Sequence, residues 1–145
     1  MKNRAILYVE DEEDDVFFMK KAFQLAGIRH PLHTAEDGQK AIAYLSGEPP
    51  FADRSQFPIP SLVILDLNLP ILSGFEVLQW LRRRPEYAQT HVVVFSSSGR
   101  PEDREKATSL GATEYVMKPS SGFDFIHVAK QLQAKWLRNG SERTG

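Results

Sequence analysis

The stretch Ser61-Leu62-Val63-Ile64-Leu65-Asp66-Leu67-Asn68-Leu69-Pro70 constrains the fold more than any other part of the chain. Four apolar residues follow one another without polar alternation, and an acid closes the run. A strand of that pattern is buried on both faces, as in a parallel sheet covered by helices. In such sheets the chemistry gathers beyond the carboxyl ends of the strands. The run predicts a central strand with Asp66 at its carboxyl end, half in the core and half in a crevice. Two readings of Asp66 follow: a reactive carboxylate, or a cap of the turn before Pro70.

The flanking sequence repeats the motif. Residues 5–9 form a second buried run that ends in Glu10-Asp11-Glu12-Glu13-Asp14-Asp15. A helix is expected from Asp14 or Asp15, because acids complement the positive end of a helix dipole and Val16, Met19, Phe23 and Ala26 recur at helical spacing before Gly27. A weak strand at 30–34, a turn at Glu36-Asp37-Gly38 and a helix at 39–45 come next. Residues 47–60 carry four prolines and two phenylalanines and read as an ordered loop pinned by its aromatic residues. A third helix holds Phe75, Leu78, Trp80 and Leu81 and ends near Arg84-Pro85. Strand 91–95, helix 101–110, strand 114–117 and a last helix with Phe125, Ile126, Ala129, Leu132 and Trp136 complete the order. Five strands alternating with five helices predict a doubly wound α/β sheet with helices on both faces.

The 145 residues suit one domain, expected over 1–138, with a disordered tail at 139–145. A net charge of −1 with 26% charged and 41% hydrophobic residues gives no argument for nucleic acid or membrane binding. Arg82-Arg83-Arg84 reads as a favourable contact with a helix C-terminus. The absence of cysteine excludes disulfides and thiolate metal sites. Neither a signal peptide nor a membrane span is recognisable, so a cytoplasmic protein is expected.

The fold rule brings Glu10-Asp11, Asp66, Ser96 and Lys118 to one edge of the sheet. Carboxylates about 4 Å apart repel by roughly 1–4 kcal/mol each, so the cluster needs a cation. Oxygen-only ligands with room for water fit Mg²⁺ better than zinc. Asp11 and Asp66 are then the expected ligands, and Glu10 acts from outside or through water. Asp14 and Asp15 read as a solvated helix start, and His30, His33, His91 and His127, lacking ligand spacing, as surface or packing residues.

Val9-Glu10-Asp11, Leu65-Asp66-Leu67-Asn68-Leu69-Pro70 with Gly74, Phe95-Ser96-Ser97, Gly111-Ala112 and Lys118-Pro119, in this order, closely resemble the receiver domain of two-component response regulators. The resemblance covers nearly the whole chain and implies a flavodoxin-like sheet of order 2-1-3-4-5. It implies that Asp66 accepts a phosphoryl group from the phosphohistidine of a sensor histidine kinase. It further implies Mg²⁺, with Mn²⁺ or Ca²⁺ as substitutes, on Asp11, Asp66 and the backbone carbonyl of Asn68. Lys118 and Ser96 would bind the phosphoryl oxygens, and Ser96 and Tyr115 would form the switch. Glu10 stands where many receivers have aspartate, and Ser96 where many have threonine; both keep the functional group.

Asp14-Asp15, the Pro-rich loop, Lys118-Pro119-Ser120 and Trp136-Leu137 look like single-domain regulators that partner phytochrome-type kinases, and no output domain is expected. Such a regulator signals by what it binds, which predicts a homodimer through the fourth helix, fifth strand and last helix. Phe123, Val128, Trp136 and Leu137 are the apolar residues left over for that interface. Two other functions compete: an Mg²⁺-dependent aspartyl-phosphate hydrolase, disfavoured by Asn68 where a second acid is needed, and a degenerate interaction module, disfavoured by the intact Asp11, Asp66, Ser96 and Lys118. The protein is not expected to be an enzyme.

Overall fold

The computed structural model describes residues 5–137. The expected tail at 139–145, and residue 138, lie outside the described residues. Five short strands form one parallel sheet: β1 (Ile6–Val9), β2 (Leu32–Ala35), β3 (Leu62–Leu65), β4 (His91–Ser96) and β5 (Glu114–Met117). Their order is β2-β1-β3-β4-β5, as the resemblance implies. The helices are α1 (Glu13–Leu25), α2 (Gly38–Ser46), α3 (Gly74–Arg83), α4 (Pro101–Ser109) and α5 (Phe125–Trp136). No helix among the described residues is long and apolar enough to cross a membrane.

Strand alternation divides the core into two layers. Ile6, Tyr8, Leu62, Ile64, Val93 and Phe95 face α1 and α5, where Met19, Phe23, Phe125, Ala129 and Leu132 meet them. Leu7, Val9, Val63, Leu65 and Val92 face the other way, against Ala41, Tyr44 and Leu45 of α2 and Val77, Leu78 and Leu81 of α3. Strands apolar on both sides can sit only in the middle of such a sandwich. α4 is different in kind, burying only Ala107, which packs on Leu67 and Val94.

Local chemistry sets several boundaries. Asp37 caps α2 by accepting from Lys40 N–H, and Gly47 ends it in the left-handed region at φ 77°. Ser73 and Glu76 form a reciprocal capping box at the start of α3. The 47–60 loop is pinned as expected, with Phe51 and Phe57 packed edge-on at 5.1 Å and both against Tyr44. Arg54 ties it down by donating to the carbonyls of Tyr44, Leu45 and Phe57.

Three expectations need correction. Val128 and Leu137 are 7% and 1% exposed and belong to the monomer's own core, because the apolar stripe of α5 is wide and Leu137 folds under its end. Trp136 is half-buried with its ring 4.2 Å from that of His91. Of the four interface candidates only Phe123 is exposed, at 91%, and it lies beside Phe17 and Leu25 of α1 rather than on α4. Arg82 does more than face a helix dipole: its guanidinium donates to the carbonyls of Gly111 and Tyr87 and fastens α3 to the turn before β5.

Candidate functional site

Each strand delivers its residue to the same edge. β1 runs out into Glu10 and Asp11, β3 into Asp66, β4 ends on Ser96, and Lys118 follows β5 with its N–H donated to the Ser96 carbonyl. The start of α3 sits hard against the β3 exit, since a Cβ on Gly74 would collide with the backbone of Asp66 and Leu67. Between them the chain turns through Ile71 at φ 70°, a strained setting for a β-branched residue.

Lys118 is the hub. Its Nζ lies 2.8 Å from Glu10 Oε1, 2.8 Å from Asp15 Oδ2 and 3.2 Å from Asp66 Oδ2. Asp66 is 3% exposed, and its Oδ1 accepts from Asn68 N–H at 3.3 Å. Glu10 is 1% exposed, with Oε1 accepting from the Tyr8 hydroxyl and Oε2 from Glu12 N–H. Asp11, by contrast, faces solvent.

The charges explain one another. Burial pushes the Glu10 carboxyl up to about 7 against the downward pull of the Lys118 ammonium, and the neighbouring Asp66 adds to the rise. Burial alone would lower the Lys118 ammonium, but the hydrogen bonds it donates to Asp15 and Glu10 and the charge of Asp66 hold it above its usual value. One oxygen each of Glu10, Asp11 and Asp66 lies within 4.8 Å of the others, a donor set of carboxylates alone. Hard oxygens around one partly solvated point fit Mg²⁺ or Mn²⁺, so the residues present suit the expected metal.

The hydroxyl side of the crevice is built from neighbours in sequence. Ser96 is fully buried, and its Oγ accepts from Ser98 N–H at 3.1 Å. Ser98 in turn donates its hydroxyl to Asp103 of α4 at 2.5 Å and offers its carbonyl to the Tyr115 hydroxyl at 2.8 Å. Tyr115 is half-buried under the Arg104 guanidinium, 4.5 Å from the ring centre.

Glu10, Asp11, Asp66 and Lys118 are thus brought together, and Ser96 and Tyr115 are linked through Ser98. Asp15 corrects the reading of a solvated helix start: in the first turn of α1 it turns toward the crevice and meets Lys118 Nζ at 2.8 Å, which the docking of α1 decides and the run of acids does not reveal. Tyr8 left no signal in the sequence, since it reads as one more apolar residue of β1.

Residues 6–130 match the family described as the response regulator receiver domain. The response regulator Rcp1 of Synechocystis is 29% identical over 92% of this chain and 89% of its own length. The phosphorylated cyanobacterial phytochrome response regulator RcpA superposes with a TM-score of 0.86 at 30% identity, over 93% of this chain and 94% of its own. A response regulator in red light signalling of R. palustris gives 0.86 at 30%, over 94% and 96%. The Mn²⁺-bound form of Rcp1 gives 0.83 at 29%, over 94% and 96%. With residues 6–130 matching the family and the sheet in the order β2-β1-β3-β4-β5, the chain belongs to the response regulator receiver family, whose members accept a phosphoryl group on an aspartate.

Proposed function

We propose that Asp66 is the phosphoacceptor, charged by a sensor histidine kinase of the phytochrome type. The observation that carries this is the 3.2 Å contact between Lys118 Nζ and a carboxylate that is nearly buried yet shares a crevice with Glu10 and Asp11. The phytochrome partner rests on the likeness to Rcp1, RcpA and the R. palustris regulator, and a cytoplasmic place of action goes with it.

An Asp66 oxygen attacks the phosphorus in line as the phosphorus–nitrogen bond to the imidazole breaks, and the bonding pair leaves with the imidazole nitrogen. Lys118 moves its ammonium from the carboxylate to the phosphoryl oxygens, keeping its acidic neighbours Glu10 and Asp15. Asp11, Asp66 and the Asn68 carbonyl would hold Mg²⁺, with Glu10 reaching it through water, and the bound cation would supply further neutralisation of those oxygens. Ser96 Oγ turns from Ser98 N–H to donate to the phosphoryl group. That shift pulls on Ser98, and through it on Tyr115 and Asp103, biasing the α4 surface between two arrangements.

Turnover of a free substrate has little support, because the exposed Asn68 stands where a hydrolase needs an acid. Self-association through α4, β5 and α5 rests on this switch alone, since two of its four apolar candidates are buried and that face carries the Lys135–Glu114 ion pair at 2.7 Å. Incubation with a small phosphodonor and Mg²⁺ followed by intact mass tests the central assignment. Wild type gains one phosphoryl group and Asp66→Asn gains none; an unchanged gain in the variant overturns it.

A further inference from the structure

Tyr8 is fully buried among the residues that face α1 and α5, its ring 6.3 Å from that of Phe95. Packing alone would be served by phenylalanine, so the hydroxyl is the feature to explain. A buried hydroxyl needs a partner, and this one donates to Glu10 Oε1 at 3.0 Å.

The consequence falls on Glu10. Its Oε1 is shared between the Tyr8 hydroxyl and the Lys118 ammonium, and its Oε2 receives Glu12 N–H at 3.2 Å. The side chain cannot turn without breaking three contacts. We infer that Tyr8 is a positioning residue that fixes Glu10 and withholds Oε1 from a bound cation, which makes the acidic site prefer Mg²⁺ to Ca²⁺. This rests on the reading of Glu10, Asp11 and Asp66 as the metal site.

Mg²⁺ keeps a tight octahedron and several waters, whereas Ca²⁺ takes six to eight oxygens and welcomes bidentate carboxylates. With Oε1 engaged, Glu10 offers one oxygen at most, enough for a water-bridged contact and too little for a bidentate grip. Glutamate has one methylene more than aspartate and so a longer reach. Without the Tyr8 hydroxyl, Oε1 is held by Lys118 alone, and a cation that asks for a second oxygen has one contact fewer to compete with. The outer partners of metal sites commonly alter affinity by about 10–100-fold, so one buried hydroxyl is sufficient cause.

Tyr8→Phe keeps the ring and removes only the donor. Calorimetric titration of Mg²⁺ and Ca²⁺ into wild type, Tyr8→Phe, Glu10→Ala and the double variant supplies the test. Tyr8→Phe is expected to shift the ratio of the two affinities toward Ca²⁺ by about fivefold to tenfold. In the Glu10→Ala background the same change is expected to shift nothing, because the hydroxyl acts only through Glu10. An unchanged ratio in Tyr8→Phe overturns the inference while leaving the metal site standing, and so does an equal shift without Glu10, which would mark a packing effect. Wild type that binds neither cation overturns the metal site and the inference together. Thermal unfolding without metal confirms that each variant is folded.

Discussion

The two sides of the strand-end crevice are built on opposite principles. On the β1–β3 side Glu10 and Asp66 are buried, and Lys118 reaches across to them from the end of β5 with its side chain 10% exposed, tied to Asp15 over 103 residues and to Asp66 over 52. On the β4–β5 side Ser96, Ser98 and Asp103 are joined by bonds between residues two to five apart, and α4 contributes little to the core beyond Ala107. A group that must hold charges in place for phosphoryl transfer needs the first kind of support. A segment that must move when a hydroxyl changes partner needs the second, since few buried contacts mean a low cost of rearrangement. Reactivity and response are thus separated by packing within one crevice.

The largest expected effect that would break this contrast is on the stiff side. Lys118→Ala leaves buried carboxylates facing one another, and the metal-free protein is expected to lose about 3 kcal/mol in urea unfolding, partly restored by Mg²⁺. A loss below about 0.5 kcal/mol would mean that the hub does not hold that side together.

A smaller effect comes from pH. Glu10 has its carboxyl raised in the folded state to about 7 from an ordinary 4.5, so folding favours its protonated form. Its contribution is fully present below about pH 4.5 and is lost as pH rises to about 7. Subtracting the stability curve of Glu10→Gln from that of the metal-free wild type should leave a fall on the order of 2 kcal/mol across that window and a plateau above it. A flat difference would show that Glu10 is not held in a dry, crowded pocket.

The smallest effect sharpens the loose side. Ser98→Ala removes the hydroxyl that donates to Asp103 and accepts from Arg100 N–H, and amide exchange in the first turns of α4 should quicken about fivefold, near 1 kcal/mol. Exchange in β1 and β3 should not change. A uniform rise through the sheet would show that the two sides are one cooperative unit.

The sequence by itself determined the alternation of strands and helices, because apolar runs such as Leu62-Val63-Ile64-Leu65 and breakers such as Gly27, Gly47 and Pro85 act over a few residues. It also determined which residues reach the crevice from the strands, since in a parallel sheet every strand ends at the same edge and Glu10, Asp66, Ser96 and Lys118 follow by position. Only the tertiary structure decided what depends on how a helix is rotated and how deep it packs. Of the adjacent acids Asp14 and Asp15, the docking of α1 aims one at Lys118. The roll of α5 on the sheet buries Val128 and draws Leu137 into the core, leaving Phe123 exposed. The Tyr8 hydroxyl looks apolar in its strand and gains its meaning from a carboxylate that the fold holds beside it. The docking of α1 and the roll of α5 are set by contacts between residues far apart in the chain, and local patterns carry no record of them.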